Sequence, residues 1–189
     1  LKTLVAYSSI AHVGLIAAGL FAGTLQALQG AAFQMLAHGI NIVALFYIIE
    51  LIERRLNTRE ISQLGGIKNK APMFSALFMI IMLGTIALPL TNGFVGEFLL
   101  ITGIFYHGIW FAVFAGLTMI MGAIYMLYAY QKVMLGETNA LTATFTDIKG
   151  IELAVLMPLA ALVILLGVYP QPLLDLTSGA MEQLLKLSF

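Results

Sequence analysis

The sequence predicts an all-α fold, a polytopic transmembrane helical bundle of about five spans with the third one broken. Composition is the first reason: 61% of the residues are hydrophobic and 10% charged, where a soluble domain carries about 45–50% and about 25%. The second is a set of uninterrupted apolar runs, each with the roughly 20 residues that cross about 30 Å of hydrocarbon. The third is a longer apolar stretch, Pro72 to Tyr106, interrupted by Leu88-Pro89-Leu90-Thr91-Asn92-Gly93.

The first span runs from about Lys2 to Ala22. Lys2 before an apolar run imitates a signal peptide, but no water-soluble domain follows, so the expectation is a piece of a longer polypeptide. The second span runs from about Gln29 to Ile52, after a link, Gly23 to Leu28, that is uncharged as a far-side turn would be. Gly19 and Gly23 read as a small-xxx-small packing pair. Pro72 to Tyr106 is either two short spans or one broken span, and charge placement separates them. Lys2, Arg54, Arg55, Arg59, Lys68 and Lys70 should share the cytoplasmic side. A single crossing returns the loop with Lys132 and Lys149 to that side, so one broken span is expected, with the chain end outside. The fourth span runs from about Ile109 to Gln131, with Tyr106 and Trp110 as interface anchors and Lys132 snorkelling. The fifth runs from about Ile151 to Tyr169. Beyond Pro170 and Pro172, Leu173 to Phe189 reads as an interfacial amphipathic helix, or else a frayed terminus. The division is thus a bundle over 1–170 and a tail over 171–189.

Several chemistries are excluded at once. With no cysteine, thiolate zinc, iron–sulfur and disulfide chemistry are absent. Zero formal net charge argues against nucleic acid as a partner. No phosphate-binding glycine motif is present, the methionines show no metal-site pattern, and no cofactor or metal is indicated.

What remains is a small set of buried ionisable groups. Glu97 is the sole carboxylate between Pro72 and Tyr106, and an ionisable residue inside a membrane segment marks an ion or proton pathway by default. Counted from the span ends, His12, His38 and Glu97 each lie about 14–15 Å deep, near the middle of a bilayer about 30 Å thick. Gln34, His38 and Asn41 share one helical face, polar in an otherwise apolar helix. Histidine suits a relay because its reference pKa of about 6.5 is close to working pH. Pro89 and Gly93 interrupt the helix just before Glu97, Gly93 by allowing unusual backbone angles, and interrupted helices at the midplane are common at transport sites. Blander alternatives stand beside these: a packed histidine at His12 or His38, a buried ion pair at Glu97 that fixes helix packing, a mere kink at Pro89. Glu50 and Glu53 beside arginines read as a solvated face.

Leu1-Lys2-Thr3-Leu4-Val5-Ala6-Tyr7-Ser8-Ser9-Ile10-Ala11-His12 resembles a helix opening in the antiporter-like subunits of respiratory complex I. Gln34-Met35-Leu36-Ala37-His38-Gly39, Thr58-Arg59 through Leu64-Gly65-Gly66, Leu88-Pro89 through Asn92-Gly93-Phe94-Val95-Gly96-Glu97-Phe98 and Val168-Tyr169-Pro170-Gln171-Pro172 continue the likeness along the whole chain. The glutamate of the fourth motif points to one member, since sister subunits tend to have lysine there, and the bacterial type fits best. The resemblance implies a C-terminal half-channel bundle, roughly the last third of such a subunit, in the bacterial inner membrane. It implies a proton relay of Glu97, His38 and His12 coupled to quinone reduction. The implied partners are other membrane-arm subunits, the lipid bilayer, protons and ordered water. The first half-channel, and the lysine expected to modulate Glu97, would lie outside this sequence, so this piece alone should not pump. Mrp-type sodium/proton antiporter subunits share the opening motif and are the alternative, and a structural scaffold is a third.

Overall fold

The computed structural model describes residues 1–188, and Phe189, the last residue of the expected tail, lies outside them. Seven α-helices follow in order: α1 (Lys2–Phe21), α2 (Leu25–Leu56), α3 (Pro72–Thr85), α4 (Asn92–Phe105), α5 (Ile109–Met134), α6 (Ile151–Val168) and α7 (Gln171–Ser188), with no strand among the described residues. Four of them, α1, α2, α5 and α6, are long and apolar enough to cross a membrane.

Helix α2 is 32 residues long, about 48 Å, and overshoots a hydrocarbon core of about 30 Å. It begins four residues before the sequence-based boundary because Thr24 caps it: the hydroxyl accepts from the Ala27 N–H at 3.2 Å and donates to the Gly103 carbonyl at 3.2 Å. The uncharged link therefore shrinks to a tight turn in which Gly23 has φ +58°. Gly23 is thus a turn residue rather than half of a helix-packing pair. Gly19 does pack: a Cβ there would fall 2.0 Å from Leu100 Cδ2.

Pro72 to Tyr106 forms one broken crossing. Helices α3 and α4 have 14 residues each, about 21 Å, and run antiparallel along α2 one after the other. Gly84 near the end of α3 and Asn92 at the start of α4 both meet Asn41; Gly96 then faces Gln34, and Gly103 faces Ala27. The loops at either side agree. Gly66 N–H donates to the Leu135 carbonyl, Thr142 Oγ1 to the Gly65 carbonyl, and Asn139 Nδ2 to the Gln63 carbonyl. The α2–α3 and α5–α6 loops thus sit together at one end of the bundle. Asp147, from the second loop, caps α3 by accepting from Met73 N–H at 3.0 Å and Phe74 N–H at 2.9 Å. Every lysine and arginine except Lys186 belongs to this end, the distribution expected of a cytoplasmic face. Glu50 pairs with Arg54 and Glu53 with Arg59 on its surface, while Arg55 reaches Glu152 at 2.5 Å.

The break is built by two turns in succession. Helix α3 ends with Ala87 left-handed at φ 56°. Leu88 N–H donates to the Leu83 carbonyl and Ala87 N–H to the Gly84 carbonyl, the paired bonds of a Schellman cap. Leu88 to Thr91 then makes a turn closed by Thr91 N–H to the Leu88 carbonyl. Pro89 is its second residue and Leu90, at φ 75°, its third, as a type II turn requires. The unusual backbone angles therefore fall on Ala87 and Leu90. Gly93, expected to supply them, is helical, and its missing side chain serves close contact instead: a Cβ would lie 2.1 Å from the Gly84 carbonyl oxygen.

Two apolar clusters fill the interior. One, toward the basic end, joins Leu45, Ile48 and Ile52 to Phe74, Phe78 and Ile81. The other joins Leu15, Ile16, Ala27, Ala31, Leu100 and Ile104. On α1, on α2 and across α3–α4, the buried polar residues fall between the two, apart from Ser75, which bonds Tyr130 inside the first cluster, so a polar layer crosses the bundle. Helix α7 packs against α2, with Leu173, Leu174, Thr177, Met181 and Leu185 half-buried and Asp175, Glu182 and Lys186 exposed.

Candidate functional site

The polar layer centres on Glu97, which is 1% exposed. It stands in the second turn of α4, placed there by the break. One carboxylate oxygen, Oε1, accepts from His12 Nδ1 of α1 at 2.9 Å and from Gln34 Nε2 of α2 at 3.3 Å. The other, Oε2, is buried and has no hydrogen-bonding partner among the described residues. The His12 and His38 rings lie 5.2 Å apart between centroids, and His38 Nε2 shares a hydrogen bond of 2.8 Å with Ser9 Oγ. Three helices therefore contribute to one line: Ser9, His38, His12, Glu97, Gln34.

The helix positions follow from spacing. Ser8 and Ser9 precede His12 by four and three residues and share its face of α1. Gln34, His38 and Asn41 stack on one face of α2, as their spacing predicts, and all three are buried. Gly96 lets α4 close on that face, since a Cβ there would sit 2.2 Å from Gln34 Oε1. Asn41 and Asn92 form a reciprocal amide pair, with Asn41 Nδ2 donating to Asn92 Oδ1 at 3.1 Å and Asn92 Nδ2 to Asn41 Oδ1 at 3.2 Å. This pair ties the start of α4 to the middle of α2.

The structure brings together all three candidates read from the sequence, Glu97, His38 and His12. It adds Ser9, Asn92 and Tyr125, whose hydroxyl donates to Ser8 Oγ at 2.9 Å. The serines carried a usable signal, their helical register with His12. Tyr125 carried none, because its contact spans 117 residues. Asn92 was hidden by its place in a helix-breaking run. His107 stands apart, its ring hydrogen-bonded to the Ala22 carbonyl near the opposite end from the basic loops. Among the described residues no cluster of His, Asp or Glu has the makings of a metal site.

Chemically the cluster can hold and pass protons. Glu97 and the histidines are proton exchangers in contact or near contact, and Ser9 can donate or accept. A carboxylate with an idle oxygen in an apolar surround is costly unless a proton or cation visits it.

A family profile described as NADH:quinone oxidoreductase/Mrp antiporter, TM matches residues 1–124. The chain is 44% identical over 186 residues to NADH-quinone oxidoreductase subunit M of Rickettsia prowazekii, covering 98% of this chain and 38% of that protein. It thus spans well under half the length of the curated relatives it matches. Among solved structures, respiratory complex I from Thermus thermophilus with bound NADH matches with a TM-score of 0.89 at 32% identity, over 98% of this chain and 40% of that one. An Mrp complex from Dietzia sp. matches with a TM-score of 0.86 at 22% identity, over 97% of this chain and 42% of that one. That last likeness carries the fold alone.

Proposed function

The chain belongs to the NADH:quinone oxidoreductase/Mrp antiporter transmembrane family, and we propose that it forms part of a proton-translocating membrane-arm subunit of bacterial NADH-quinone oxidoreductase. Its place is the inner membrane, its neighbours the other membrane-arm subunits. Residues 1–170 form a half-channel bundle and 171–189 an amphipathic tail, whose helix α7 packs against α2. Electron transfer belongs to other subunits, in keeping with a chain that offers no cysteine to an iron–sulfur cluster.

The observation that carries this reading is the buried contact of Glu97 with His12, continued to His38 and Ser9. Protons move along this line, and Glu97 releases them toward the outside. The drive is a change of charge nearby. A unit charge brought to about 8 Å is worth about 2 kcal/mol at an effective dielectric of about 20. One decade of proton affinity corresponds to about 1.4 kcal/mol, so such a change is enough to load or empty the carboxylate. An Mrp-type antiporter subunit would use similar chemistry driven by an ion gradient, and cation-driven proton exchange without NADH oxidation would favour it.

The test is Glu97→Gln in the full-length subunit within the assembled complex. Expected is loss of NADH-driven proton pumping in vesicles and of coupled quinone reduction. NADH oxidation by an artificial acceptor should persist, and the complex should run intact on a native gel, showing that it has assembled. Full pumping by that variant would refute the assignment.

A further inference from the structure

Two of the buried side-chain acceptors left without a donor lie on touching residues, Glu97 Oε2 and Gln34 Oε1. Gln34 is 2% exposed and Glu97 1%, so neither oxygen has bulk water to fall back on. Buried polar groups are normally paired, and a doubled exception in one contact calls for a chemical reason. Gln34 turns its amide nitrogen toward the carboxylate, Nε2 to Oε1 at 3.3 Å. That is the arrangement suited to an ionised Glu97, which can only accept. It leaves the amide oxygen idle.

A single proton closes both gaps. Placed on Glu97 Oε2, it turns that oxygen into a donor, and Gln34 Oε1 is an acceptor without a donor on the residue that Glu97 already touches. We propose that Gln34 is a positioning residue whose carboxamide donates to Glu97 when it is ionised and accepts from it when it is protonated. The inference rests on the reading of Glu97 as a proton carrier and deepens it: the carboxyl group keeps a partner in both states, so loading and unloading strand no buried group. Gln34 itself neither gains nor loses a proton. Gly96 lets the amide lie directly against the α4 backbone, since a Cβ there would stand 2.2 Å from Oε1 and 2.8 Å from Gln34 Cβ.

The experiment compares Gln34→Met, equal in length but with no donor and only a weak sulfur acceptor, and Gln34→Asn, one methylene too short to keep the contact. Both are made in the full-length subunit of the assembled complex. Infrared difference spectra, wild type minus Glu97→Gln, isolate the carbonyl stretch of protonated Glu97. In either Gln34 variant this band should move to higher frequency as the carboxyl loses its acceptor. Coupled quinone reduction should fall about tenfold, the scale of a lost hydrogen bond to a charged group. An unmoved band, or a coupled rate within about twofold of wild type, overturns the proposal. So does failure of both variants to assemble, which would make Gln34 a packing residue. If Glu97→Gln pumps normally, the proton-carrier reading falls first. If Glu97→Gln is inactive while the Gln34 variants pump with an unmoved band, only the present inference fails.

Discussion

An alanine at position 93 separates two reasons for a glycine beside the helix break. Gly93 is in the first turn of α4, and its Cβ would lie 2.1 Å from the Gly84 carbonyl oxygen and 3.3 Å from its carbon. Carbon–oxygen contacts settle at about 3.3 Å or more, so Gly93→Ala must push the two backbones about 1 Å apart. Overpacking of this kind costs about 1–3 kcal/mol. Glu97 rides on the same helix one turn further on, with His12 at 2.9 Å. A shift of about 1 Å stretches that contact beyond hydrogen-bond range and can cost about a hundredfold in rate. The assembled complex should therefore melt at lower temperature and pump at a tenth to a hundredth of the wild-type rate, read by dye quenching in vesicles. Gly93→Asn sharpens the comparison. Asparagine tolerates the left-handed region, so it would be accepted if Gly93 were needed for its backbone angles, and rejected like alanine if the space is what matters. Gly116, with nothing within 4 Å of its would-be Cβ, is the control, expected as alanine to leave stability unchanged or raise it by up to about 1 kcal/mol. An assembled Gly93→Ala complex with wild-type pumping and melting would refute the reasoning.

Three further substitutions test how the break and the basic end are held. Asp147→Ala removes the cap from two α3 N–H groups and should lower the stability of the subunit by about 1–2 kcal/mol, seen as a lower melting temperature of the complex with pumping per turnover unchanged. Asn41→Ala leaves Asn92 Oδ1 buried without its donor, while Asn92 Nδ2 keeps the Ala37 carbonyl, and should cost about 1–3 kcal/mol. Asn92→Ala should cost about the same, and the double variant should cost clearly less than the sum of the two. Strict additivity would mean the two amides do not act as a pair.

Most of the architecture is legible in the sequence because hydrocarbon imposes simple demands. Span length, apolar composition and the lysine and arginine distribution lead to α1, α2, α5 and α6 and to a single crossing for α3–α4, and the loop-to-loop hydrogen bonds agree. The start of α2 is not legible because Thr24 and Leu25 look like link residues until the Thr24 hydroxyl finds Ala27 and Gly103. At the break, the sequence points to Gly93 as the strained residue, yet Ala87 and Leu90 take the left-handed angles. Propensity favours glycine there, but a Schellman cap and a proline-initiated turn hold the two residues in place. At the site, register along single helices brought out Gln34, His38 and Asn41, whereas the contacts between helices had no local signal. Pairing Glu97 with His12 depends on how α4 docks against α1 and α2, and that is decided by where glycines occur on the touching faces.

Those glycines also bear on what can move. Gly93 is pressed on Gly84, Gly96 on Gln34, Gly103 on Ala27 and Gly30 on the Leu99–Leu100 backbone, and each would-be Cβ falls within 3 Å of a neighbouring atom. Helix α4 is therefore seated on α2 with its backbone in close contact along its length, and the Asn41–Asn92 pair ties down its first turn. Packed interiors of this kind do not deform continuously. Sliding α4 to carry Glu97 between two sides would break every one of these contacts at once, whereas turning a carboxamide or an imidazole breaks one or two hydrogen bonds. A switch built on this site thus belongs to side chains, with Glu97 fixed in depth and its partners exchanged around it. Alanine at Gly103, whose Cβ would come 2.4 Å from the Ala27 nitrogen, should then disturb assembly and stability like Gly93→Ala. Being farther along the helix from Glu97, it should leave more of the pumping per assembled complex. The opposite ranking would mean that α4 itself is the moving part.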